Sequence, residues 1–134
     1  MQCWSISRIL VIALALLPAA CSRLDTRLDQ HKQKFESLGE TTAAICDAWL
    51  GGDVSGTYAR TALDQTFMLV EQERTALAAS PEALLDPRGA DLSQSGERLS
   101  RLIAILIHEI EGAHDASVRQ LLTRIPMRAS RGQS

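Results

Sequence analysis

One spacing constrains this chain more than any other feature. From Leu24 onward, apolar or semi-apolar residues stand at Leu24, Leu28, His31, Phe35, Leu38, Thr42, Ile45 and Trp49, in steps alternating between four and three. That rhythm keeps one side of an α-helix apolar for more than three heptads and gives a β-strand no consistent face. It predicts a helix over about 22–50 whose seam must be covered by other helices. Gly51-Gly52-Asp53 then stops it, because glycine supplies the left-handed conformation at which helices commonly end.

A second periodic stretch, about 56–79, places Tyr58, Ala62, Leu63, Leu69, Val70, Ala76 and Leu77 on one broad face. Ser80-Pro81 breaks it, one turn through "PEALL" follows, and Asp86-Pro87-Arg88-Gly89 reads as a connection. A third stretch over about 91–125 has a core face of Leu99, Leu102, Ile103, Leu106, Ile110, Ala113 and Leu121. Gly112 sits inside it and marks a kink or a break into two helices, since glycine there costs about 1 kcal/mol relative to alanine. With almost no strand signal, the expected fold is all-α: an up-down-up three-helix bundle over 21–126.

The residues before this bundle have a different character. A short polar start with Arg8 leads into the unbroken apolar run "ILVIALALL" and then the small residues "PAA". This is the anatomy of a secretory signal over 1–20, and its run of about a dozen apolar residues falls short of the roughly 20 that a membrane-spanning helix needs. Cys21 follows the small residues directly. The stretch Leu17-Pro18-Ala19-Ala20-Cys21 resembles the lipobox of bacterial lipoproteins, with Leu17 one position earlier than usual. The resemblance implies that Cys21 is the lipidated first residue of the mature chain and holds it to a membrane. Ser22 in the next position implies the outer membrane, with the protein facing the periplasm.

The three cysteines then sort themselves. Cys3 leaves with the signal, Cys21 carries lipid, and Cys46 is expected to be buried beside Ile45, the other possibility being an intermolecular disulfide. Removing Arg8 takes the net charge from −2 to −3, which offers no footprint for nucleic acid. Arginines gather at the far end, at positions 119, 124, 128 and 131, and 127–134 reads as a basic flexible tail.

Two groups of polar or aromatic residues sit where core is expected. Counting outward from the turns, Glu73 falls opposite His31 and near Arg98 or Arg101. Buried charge needs a partner, so a His31, Glu73, Arg98 polar core layer is expected. Toward the other end Trp49, Tyr58 and His114 share a layer, which makes it a possible ligand or haem end. "HEIEGAH" has one Glu-x-x-His where paired-metal bundles need two, so no metal is expected. No nucleophile elbow or paired inward carboxylates suggest catalysis, and no cofactor or enzymatic residue is assigned. The expected function is a non-enzymatic structural or interaction module of the cell envelope. It is held to a membrane by an N-terminal lipid, with an envelope protein or a second copy as partner. The alternative is a periplasmic bundle binding a small ligand, haem or metal at the Trp49, Tyr58, His114 end.

Overall fold

The computed structural model describes the backbone of residues 3–125 and the side chains of 25–81 and 83–125. The side chains of the expected signal and of Cys21, and the whole of the expected tail, lie outside the described residues. The fold is all-α, with no strand among the described residues. Five helices follow one another: α1 Cys3–Leu50, α2 Gly56–Ala78, α3 Pro81–Leu85, α4 Pro87–Glu111 and α5 Asp115–Leu122. No described helix is long and apolar enough to cross a membrane.

The end of α1 shows why the first turn is legible. Asp53 N–H donates to Ala48 C=O at 2.9 Å and Gly52 N–H to Trp49 C=O at 3.0 Å. This paired closure requires a left-handed residue between them, and Gly52 supplies it at φ 79°. Ser55 then caps α2, its hydroxyl accepting from Tyr58 N–H at 3.2 Å.

The expected third helix is a different object. Asp86-Pro87 is a helix start, not a connection. The Asp86 carboxylate accepts from Arg88 N–H at 2.9 Å, and Pro87 occupies the first helical position, where its missing N–H costs nothing. Gly89 lets α3 lie directly against α4, since a Cβ there would stand 2.0 Å from Ala83 C=O.

At the far end α4 stops at Glu111, and the chain turns back as α5. His114 N–H donates to Glu109 C=O at 2.9 Å and Ala113 N–H to Ile110 C=O at 3.1 Å. This closure repeats that of α1, but the left-handed position, φ 55°, falls on Ala113 instead of on Gly112. A residue with a Cβ pays about 1–2 kcal/mol there. Ala113→Gly is therefore expected to stabilise the fold by about 1 kcal/mol and raise Tm by roughly 5 °C, checked by thermal unfolding.

The core is one cluster drawn from α1, α2, α4 and α5. Leu28, Phe35 and Cys46 meet Leu63, Val70 and Leu77, and Ile103, Leu106 and Ile110 complete it from α4. Cys46 is a buried thiol. Val118, Leu122 and Ile125 are buried as well, so α5 is a packed element. Ile125 Cγ2 lies 3.6 Å from where a Cβ on Gly39 would sit, which places the end of the described chain beside α1 eleven residues before that helix ends. Arg124 was expected at the end farthest from Cys21; the reversal at Ala113 carries it back.

Tyr58, Leu69 and Ala76, expected in the core face of α2, are exposed. The face that turns inward instead runs through Ala59, Leu63, Thr66, Val70, Glu73 and Leu77. Thr66 is tolerated inside because its hydroxyl donates back to Ala62 C=O at 2.8 Å, as Thr42 does to Leu38 C=O at 2.8 Å.

Candidate functional site

Two features of this scaffold have the character of a site: a polar layer through the core and an open slot between α1 and α4. In the layer, Glu73 on α2 is only 7 % exposed. Its Oε1 is hydrogen-bonded to His31 Nδ1 of α1. The bond needs one hydrogen between the two atoms, and where the carboxylate is ionised that hydrogen is on Nδ1. Its Oε2 accepts from Lys34 Nζ at 3.1 Å.

Two residues earlier on α2, Glu71 turns to the other side. Its Oε1 accepts from Ser100 Oγ of α4 at 2.6 Å and from Arg74 Nη1 at 2.6 Å. Successive carboxylates thus point to different neighbours, and the layer ties three helices together: α1 through Glu73 and α4 through Glu71. The Ser100 hydroxyl, then Arg74, hold the Glu71 carboxyl below its ordinary value. Its folded-state pKa is depressed, so its stabilisation is present above the unfolded value and is lost as pH falls through the folded one. Glu71→Gln is expected to flatten the acid limb of a stability-against-pH curve below about pH 4.5, measured by urea unfolding.

The structure brings His31 and Glu73 together and leaves Arg98 out. Arg98 is exposed and reaches only Ser95 Oγ, at 3.4 Å. The reason is angular: Arg98 stands two residues from both Gly96 and Ser100, the buried positions facing α2, and so about 200° around the helix from them. Arg101 turns outward to Glu97. Lys34 takes the cationic role, and a signal for it was present, since i and i+3 share a helix face and Lys34 follows His31 at that interval.

Trp49, Tyr58 and His114 do not converge on an enclosed space. Trp49 is half-buried, with Nε1 close against Gly56, while Tyr58 is 61 % exposed. The turn that ends α4 swings His114 back on its own helix, where Nδ1 meets Glu109 Oε2 at 3.0 Å. Glu111 faces Arg60 Nη1 at 3.4 Å instead of joining His114.

The slot was not foreseen. It runs beside α1 from Leu28 to Gly39 and beside α4 from Arg88 to Leu102, and has a volume of about 640 Å³. Leu28, Phe35, Leu92, Leu99, Leu102 and Ile125 form its apolar walls and floor. Asp29, Lys32, Glu36, Asp91, Arg98 and Arg124 form its rim. The eleven steps from Leu28 to Gly39 at about 1.5 Å each give it a length of about 16 Å. Its origin is the shortness of α5, which fills the space between α1 and α4 only as far down as Ile125. The sequence did hold one sign of it: Leu92, Leu99 and Leu102 widen the apolar stripe of α4 beyond what α2 alone covers.

Comparison with known proteins adds no relative: no family model, no curated protein and no solved structure matches this chain.

Proposed function

We propose that the chain is a membrane-anchored cell-envelope lipoprotein of bacterial type, held through acyl groups on Cys21 and facing the periplasm from the outer membrane. In this reading its folded part is a non-enzymatic up-down-up three-helix bundle, to which α5 is added as a short fourth member. The contacts of His31 with Glu73, Ser100 with Glu71 and Arg60 with Glu111 support the alternating directions. The lipobox-like stretch ending in Cys21 supports the anchor.

The observation that carries the interaction role is the slot. A groove with an apolar floor and a charged rim, about three helical turns long, suits the apolar face of an amphipathic helix. Its occupant in this reading is a helical segment of an envelope protein or of a second copy. Both oxygens of the buried carboxylate are already bonded, which supports a scaffolding role for the polar layer.

The test is photo-crosslinking in growing cells from position 95, which lines the slot and is exposed, with position 61 on the outer face of α2 as control. A discrete adduct of higher mass is expected from position 95 only. Equal labelling from both positions, or none, would sink the slot as a partner site.

A further inference from the structure

We propose that α3 rests in the surface of the membrane from which α1 rises, with Leu84 and Leu85 as its apolar tip and phospholipid as their partner. The inference rests on the anchored reading given above and adds to the N-terminal lipid a second contact, made by the folded part.

Exposure comes first. Leu84 and Leu85 are 80 % and 83 % exposed, the highest values of any large hydrophobic side chain among the described residues. They are neighbours in a helix of five residues. Two adjacent leucines in water forfeit the burial that the core gives Leu63 and Leu77.

The packing of α3 keeps the pair outside. Ala83 lies against the core cluster. A Cβ on Gly89 would stand 2.0 Å from Ala83 C=O, so no space is left between α3 and α4. At about 100° per residue, the midpoint of Leu84 and Leu85 is about 150° around α3 from Ala83. Pro81 at the start of α3 and Pro87 just after its end fix the backbone on both sides. The pair is held on the face turned away from the core.

Place gives the third argument. Arg88, three residues after Leu85, pairs with Asp25 of α1. Cys21 precedes Asp25 by about one helical turn, or about 6 Å along the axis. The leucines therefore stand at the end of the bundle by which α1 enters, near the level of the anchor. The other end is unlike it: Gly51-Gly52-Asp53 and Gly112-Ala113-His114 carry no large aliphatic side chain.

An apolar tip beside a group of charges suits the boundary of a bilayer, where acyl chains take up leucine and headgroups solvate ions. Here the charges are the carboxylates of Asp25 and Asp86 with the Arg88 guanidinium between them. Carboxylates outnumber the cation, so contact with lipid is carried by the leucines and not by attraction to anionic headgroups.

The test uses the full protein as recovered from host membranes. It is reconstituted in vesicles of zwitterionic phosphatidylcholine that include a phosphatidylcholine with a diazirine near the headgroup end of one acyl chain. After illumination, tryptic peptides are weighed. Lipid adducts are expected in 75–88, which holds α3, and not in 61–74, which holds the exposed Met68 and Leu69. In Leu84→Ser/Leu85→Ser the yield in 75–88 is expected to fall about tenfold with Tm unchanged, since both side chains lie outside the core.

No adduct in 75–88, equal adducts in both peptides, or an unchanged yield in the serine variant would each overturn the inference. So would a dimer of the parent protein that the serine variant loses, which would assign the pair to a second copy. The intact mass of the same sample reports the anchor separately. An acylated chain without adducts in 75–88 sinks this inference alone, whereas an unacylated chain that stays off the vesicles removes the anchored reading and this inference with it.

Discussion

Phe35→Ala is expected to destabilise the protein by about 3–5 kcal/mol, the largest effect of any single truncation considered. The residue is 6 % exposed, and the edge of its ring meets α4 at Gly96, where the helix carries no side chain. A Cβ on Gly96 would stand 2.8 Å from Phe35 Cζ, so ring and glycine are a matched pair. Removing the ring takes away floor shared by the core and the slot, and no neighbouring side chain on Gly96 can move in to refill it. Urea unfolding checks this: the midpoint should fall with the slope unchanged, as expected when native packing alone is lost. A loss below about 1 kcal/mol would mean that α1 and α4 are not in contact through this ring.

The second large effect comes from the polar layer. His31→Ala combined with Lys34→Ala leaves the Glu73 carboxylate at 7 % exposure without either partner. Stranding a buried charge costs about 3–5 kcal/mol, and that loss is the expected result. Lys34 itself is 62 % exposed at its side chain, so most of the effect belongs to His31. The contrasting variant is His31→Leu with Glu73→Met, which removes charge and partner together. It is expected to be neutral or to stabilise by about 1–4 kcal/mol, because replacing a buried ion pair with apolar side chains of similar size relieves its desolvation. Equilibrium unfolding of both double variants decides the matter. If both lose stability alike, His31 and Glu73 act through shape and not through charge.

These two sites also show how far the sequence could be read. The heptad of α1 and the glycines after it were legible because periodicity and a left-handed residue leave direct marks: Leu28, Phe35 and Thr42 are buried, and Gly52 stands at the turn. Counting outward from that turn was enough to set His31 opposite Glu73. Arg98 was misplaced for the opposite reason. A count along the chain gives height in the bundle but not angle around the helix, and two residues of error turn a side chain to the far face.

The break after α4 carried a weak mark in Gly112. What the sequence did not show was the direction taken afterward, because the left-handed position falls on Ala113 and nothing in a one-dimensional pattern fixes where α5 packs. The slot follows from that reversal, so it was beyond reach as well. Asp86-Pro87 illustrates an ambiguity of another kind: the same dipeptide suits a turn or a helix start, and here its side chain caps α4.

The most direct measurement is the intact mass of the protein recovered from separated inner and outer membranes. A chain beginning at Cys21 and carrying acyl groups, found in the outer-membrane fraction, is the predicted result. A mass matching the whole chain, or an unacylated form free of membranes, would contradict it and leave Cys21 an ordinary thiol.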